Sequence, residues 1–271
     1  MRTGWVALLL AMVVTLAGCF QVDQVVKLSE DGSGTVEVTT LLSDAVTEMM
    51  AGFGDEAKGP DGKEAPKKEP FDEAKLKEDA AKMGDGVEYV SHEKMEKDGF
   101  TGVKAVYSFK DITKLKLETT PEMDGGQGDG GDKKEGVTFK FGESAGGNPL
   151  LTVVMPKNEK KSEEPASASA QKEPSAEDLA QMKQMFKGLR FGISVEPDGD
   201  LVKTNSEFVE GSKVTLFEID FSALLENDAK LKELQTRKPE SLADMKALVK
   251  DIPGFKLNLE PEITIEFSGG E

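Results

Sequence analysis

The stretch VDQVVKL-SEDGSG-TVEVTTL, residues 22–41, decides the fold. Residues 22–28 and 35–41 are rich in valine and threonine, which suit a pleated, half-buried backbone. Between them Glu30-Asp31-Gly32-Ser33-Gly34 supplies turn chemistry. The reading is a β-hairpin with a glycine-containing loop.

Working outward, Ser43 can cap a short helix carrying Val46, Met49, Met50 and Phe53. Asp72 opens a second helix, with Leu76, Ala80 and Met83 on one face and Gly84 ending it. Residues 87–91 and 100–110 read as strands. In the second, Val103, Ala105, Tyr107 and Phe109 alternate inward. Val137, Phe139 and Phe141 alternate likewise, and residues 151–155 offer a partner strand. Ser175 and Asp178 resemble a capping box, opening a helix through Leu179, Met182, Met185 and Phe186 to Gly188. Leu189, Phe191, Ile193 and Val195 alternate as a strand. Pro197-Asp198-Gly199-Asp200 then turns the chain, and residues 201–204 and 213–221 continue the sheet. Helices follow around 229–235 and 239–250. Pro239 suits a first helical position, and Lys246 and Lys250 suit the negative end of the helix dipole. Residues 255–259 and 263–267 close the chain as strands. The expected fold class is α+β: a mainly antiparallel sheet of hairpins with helices packed on one face.

Three stretches, 54–70, 121–136 and 156–174, bury too little apolar surface to offset chain ordering. They read as disordered insertions into one domain spanning residues 19–271.

Residues 1–18 read as a signal peptide. Met1-Arg2 is a positive start, residues 5–16 are apolar, and Leu16-Ala17-Gly18 precedes Cys19 with small side chains. The apolar run is shorter than the roughly 20 residues a membrane span requires. Leu16 to Cys19 resembles the lipobox of bacterial lipoproteins, in which the cysteine takes a diacylglyceryl group and becomes the mature N-terminus. That resemblance assigns lipidation to Cys19, the only cysteine. Buried methylenes contribute about 0.8 kcal/mol each, so two or three acyl chains anchor a protein stably. Phe20 and Gln21 follow, without the second-position aspartate that resembles an inner-membrane retention signal. An outer-membrane location is therefore favoured where the organism has two membranes. With the first expected strand so close to Cys19, the domain is expected to ride near the bilayer, its N-terminal hairpin nearest the headgroups.

Formal charge is -17, and losing Arg2 with the signal takes it to -18. Such a surface repels phosphate backbones, which argues against nucleic-acid partners. It repels anionic headgroups too, so lipid rather than charge must hold the chain to a membrane. Trp5 lies in the signal, leaving Tyr89 and Tyr107 as the polar aromatics of the mature chain. Their scarcity weighs against a carbohydrate binder.

Chemistry is sparse. His92, the sole histidine, sits among Glu93, Lys94 and Glu96 and reads as a solvated surface residue. Zinc would need several Cys or His ligands. The Gly-rich run from Asp124 to Asp132 misses calcium-loop spacing. No P-loop occurs. No catalytic, cofactor-binding or metal residue is assigned, and no cofactor is expected. Met49, Met50, Met182, Met185 and Phe186 form apolar helix faces that read as core packing, with an acyl or helix groove as the functional alternative.

Taken in order, three segments resemble the LppM-type bacterial lipoprotein domain. They are Gly18-Cys19 running into VVKLSEDGSGTVEV, then EKDGFTGVKAVYSFKDI, then LRFGISVEPDGDLVKTNSEFVEGSKVTLFEID. The resemblance covers about 19–221. Asp198 interrupts the family's Pro-Gly turn, and Ser206 and Glu207 follow Asn205 where glycine is usual. The resemblance implies an α+β envelope domain, with lipid binding suggested for some members. Pro197, Gly199, Asn205 and Gly211 are assigned turn geometry. The expected function is non-enzymatic binding or scaffolding at a membrane surface. A lipid carrier or sensor is the first alternative, and a hydrolase without a recognisable site the second.

Overall fold

The structure is a computed structural model and describes residues 20–44, 46–47, 71–119, 136–156, 179–180, 183, 186–237 and 242–269. The expected insertions fall outside these residues, apart from Gly136 and Pro156.

The hairpin forms as read and is longer at both ends. Strands β1 (Phe20–Leu28) and β2 (Gly34–Ser43) pair antiparallel from Phe20–Leu42 to Leu28–Gly34. Asp31 accepts from the Ser33 amide at 2.9 Å and tightens the turn. Gly32 has φ +82, and a Cβ there would lie 2.9 Å from the Phe141 ring. The turn therefore tucks beneath the second sheet, and only glycine satisfies both demands.

Asp72 caps helix α1 (Glu73–Met83), accepting from the Lys75 amide at 2.7 Å. Leu76 and Ala80 are its buried residues, as the spacing requires. Strands β3 (Glu88–Lys97) and β4 (Phe100–Phe109) follow, joined by Asp98-Gly99. Both turn residues have positive φ, 52° and 79°, the mark of a tight two-residue hairpin. The strand expected at 87–91 runs six residues further, to Lys97. Its charged half, HEKMEK, has no apolar alternation because β3 lies at a sheet edge.

A 3-10 turn at Ile112–Lys114 leads into β5 (Lys116–Leu117), then β6 (Val137–Glu143) and β7 (Pro149–Val154). Next come β8 (Arg190–Pro197), β9 (Leu201–Thr204), β10 (Val209–Glu210) and β11 (Lys213–Asp220). Three helices follow: α2 (Ser222–Leu225), α3 (Asp228–Arg237) and α4 (Leu242–Val249). Strands β12 (Phe255–Leu257) and β13 (Glu262–Phe267) complete the described chain.

The strands make two sheets. The first has the order β10-β11-β8-β1-β2-β4-β3, with β12 also on β11; the second is β5-β6-β7-β13-β9. Antiparallel pairing dominates, but β1 and β8 are parallel, Gln21–Arg190 to Leu28–Pro197. β1 is thus an interior strand. The turn at Pro197 carries the chain out of the first sheet, so β9 pairs with β13 in the second. This corrects the expectation that 201–204 continues the sheet of β8. The alternation in 201–204 is too short to reveal which sheet it joins.

One apolar core lies between the sheets. Val26, Val36, Tyr107 and Val195 contribute from the first; Phe139, Leu151, Ile265 and Phe267 contribute from the second. The expectation of helices packed over one face is therefore replaced by a sheet-on-sheet arrangement, with α1 contributing Leu76 and Ala80. The later helices build a second core. Leu224, Leu231, Leu248, Val249 and Ile252 gather there with Phe255 and Leu257 of β12. Phe217 of β11 packs against both cores.

Candidate functional site

The end of the first sheet that adjoins Cys19 is the candidate site. Cys19 itself lies outside the described residues, as do Met49, Met50, Met182 and Met185. Phe20 is bonded to Cys19, so successive Cα atoms fix it within about 3.8 Å. Phe20 opens β1, pairs with Leu42, and meets Phe191 of β8 with ring centroids 6.3 Å apart. Ser43 beside it caps a helical turn: the Val46 amide donates to Ser43 Oγ at 3.4 Å. The Asp98-Gly99 turn closes the same end. The Asp44 amide donates to the Gly99 carbonyl at 3.0 Å, and Thr101 Oγ1 donates to Asp44 at 2.8 Å. On the other flank Phe186 stacks on Phe221 at 4.8 Å, and Phe221 meets the Phe255 ring edge-on at 5.5 Å. Only the open end of the β1–β2 hairpin therefore adjoins Cys19. Its turn stands roughly 26 Å away along β1, at the usual rise per residue.

A charge ladder crosses the opposite face of this sheet from the core. Asp23 of β1 lies across from Gly192 of β8, where a Cβ would come within 2.6 Å of its carboxylate. Arg190 stands between two acids. Its Nε is 3.3 Å from Asp23, and its guanidinium donates to Glu218 at 3.2 Å. Arg190 Nε is buried without a hydrogen-bond partner, so its contact with Asp23 is electrostatic. Lys256 bridges Glu218 and Glu210 at 3.1 and 3.0 Å. Burial pushes the Asp23 carboxyl above the ordinary range, and Glu218 and Asp220 add to this; Arg190 and Lys213 oppose it. Glu37 is the contrasting case: hydrogen bonds from Lys27 and Lys104 hold its carboxyl low, against burial. Sequence reasoning missed the ladder. It exists only because β8 returns beside β1, and no local pattern announces that pairing.

A raised carboxyl in the folded state adds stability in full below its unfolded value, near pH 3.9. That stability is lost as pH rises through the folded value. Asp23→Asn removes this dependence. The variant is expected to equal or exceed the parent's stability at pH 7, and the gap should shrink as pH falls through the carboxylate range. Urea midpoints measured between pH 3 and 7 check it. With 37% of the side chain exposed, the effect is modest.

His92 departs from expectation. A bulge between Tyr89 and Ser91 puts both Tyr89 and His92 on the inward side of β3, opposite Tyr107 and Ala105. His92 is half-buried, and its Nδ1 lies 2.6 Å from the Tyr89 hydroxyl. The ring supports the packing of Tyr89 edge-on to Tyr107, whose phenol burial pushes far up. Gly199 and Gly211 have positive φ, as turn positions require. Asn205 does something else. It accepts from the Thr264 amide at 2.8 Å and donates to the Glu262 carbonyl at 3.0 Å, pinning the end of β9 to β13. Asn258, which is buried, donates to the carbonyls of Thr215 and Leu216 and so satisfies the bulge in β11.

Fold and site define a strand-rich α+β domain of two mostly antiparallel sheets with a helical annex. No family model matches the chain, and no curated protein matches it. Among solved structures the chain is similar to the folded domain of the Mycobacterium tuberculosis LppM protein, determined by NMR. Identity is 8%, the TM-score is 0.33, and the match covers 94% of this chain and 92% of that one.

Proposed function

We propose that the chain is a lipid-anchored, non-enzymatic envelope protein that binds or scaffolds at a membrane surface. One observation carries the reading: Leu16-Ala17-Gly18-Cys19 runs without a linker into an interior strand of the larger sheet. Lipid on Cys19 would then hold a rigid body at the surface, where a long tether would let it roam. Phe20 and Gln21 favour the outer membrane of a two-membrane envelope.

The test uses the full chain expressed in a bacterial host with labelled palmitate. Label is expected on the protein, with two or three acyl chains on an N-terminal Cys19 by mass spectrometry. Cys19→Ser is expected to lose the label and leave the membrane fraction. A mature N-terminus upstream of Cys19, or an unmodified thiol, would overturn the proposal.

A further inference from the structure

We propose that the edge strand β3 is a pairing site for a second copy of this chain. The proposal goes beyond membrane anchoring and does not depend on it. Among the described residues β3 has no neighbour beyond β4, so its outer backbone groups can extend the sheet. The order of charges along it is Glu93-Lys94-Met95-Glu96-Lys97. Antiparallel pairing of two such strands about Met95 places Glu93 opposite Lys97 and Lys94 opposite Glu96, each pair twice. Every directly opposed charge then meets its opposite.

The pairs also fall on matching faces. Glu93 and Lys97 lie on the outward side, opposite Lys104 and Phe100 of β4; Lys94 and Glu96 lie on the core side, opposite Val103 and Thr101. All four are exposed, and Met95 at the dyad is half-buried. Charges on an edge strand commonly prevent sheet extension. A run of one sign would do that against any copy of itself. This alternating run matches all four charges in the antiparallel register about Met95, whereas an in-register parallel copy sets like charges opposite each other. The chain's overall negative charge opposes association, yet it is screened beyond about 8 Å at physiological salt, so the directly opposed pairs decide.

The dyad also suits a shared membrane. Glu96 is level with Phe20 through Thr101 and Leu42. Met95 is one residue away, so the anchored ends of both copies emerge near the dyad when the strands lie along the surface.

The experiment uses the full chain with Cys19→Ser and Met95→Cys, which leaves one thiol. Oxidation with copper phenanthroline is expected to give a disulfide-linked dimer, because opposed residues of antiparallel strands meet disulfide geometry. The same treatment of a Val202→Cys control should not. Reversing Glu93 and Glu96 to Lys makes every opposed pair repulsive and is expected to cut cross-linking roughly tenfold or more. Exchanging all four charges (Glu93→Lys, Lys94→Glu, Glu96→Lys, Lys97→Glu) restores complementarity and should restore the dimer. Thermal melts matching the parent show that the variants fold. Absence of the Met95→Cys dimer, or a dimer indifferent to charge reversal, would overturn the proposal.

Discussion

Gly102→Ala is expected to destabilise the domain by about 3 kcal/mol, at the upper end of the usual cost of overpacking. Gly102 lies in β4 opposite Leu41 of β2, at the Cys19 end of the sheet. An added Cβ would sit 1.9 Å from the Thr40 carbonyl oxygen and 2.8 Å from the Leu41 Cα. Both obstacles are backbone, so no side-chain rotation relieves them. β2 and β4 must separate, and the ladder there must lengthen. A urea titration checks it: a midpoint unchanged from the parent would mean that the sheet yields without loss. Gly142 is the control, since a Cβ there meets nothing within 4 Å. Its replacement by alanine should fall within about 0.5 kcal/mol of the parent, as for most surface changes.

Gly102 also marks where sequence reasoning stops. The local elements were legible because their signals are local. Asp72 caps α1, Leu76 and Ala80 are buried, and Val103, Ala105, Tyr107 and Phe109 face the core as their spacing requires. The hairpin of β1 with β2 was legible for the same reason. What was not legible is pairing between distant segments. Nothing near Asp23 says that Gly192 will lie beside it, so the ladder through Arg190 was invisible. Nothing in 201–204 says that the chain has changed sheets. The charged half of β3 lacked alternation because an edge strand need not bury a face. His92 was misjudged because a bulge shifts which residues point inward, and a bulge has no fixed signature. Of the site, the strand that begins beside Cys19 could be read; the turn and aromatic contacts that surround that end could not.

Phe267→Ala is expected to cost about 3–5 kcal/mol, the usual loss for removing a buried phenyl ring. The ring is fully buried, and β13 carries it between β7 and β9 in the second sheet. It belongs to the core shared by both sheets, so its cavity would loosen the contact between them. For a domain of this size each kcal/mol lowers the melting temperature by roughly 2–4 °C, which puts the expected fall near 10–15 °C. Val202→Ala on the exposed side of β9 is the comparison, and it should leave melting nearly unchanged. The position of β13 adds a kinetic expectation. It enters the interior of the second sheet, between β7 and the edge strand β9, although it is the last strand described, while β1 in the first sheet waits for β8. Contacts so distant in sequence form slowly. The variant's lost stability therefore appears mainly as faster unfolding if β13 docks after the rate-limiting step, and as slower refolding if it docks before. Stopped-flow measurement of both limbs decides the order. Equal loss on the two limbs would place the ring half-docked at the transition state. Membrane attachment should survive the substitution, because the proposed anchor is a bond to Cys19 and does not require the second sheet. If Phe267→Ala released the chain from the membrane while its lipid remained, attachment would depend on the folded sandwich, and lipid alone would be an insufficient account of it.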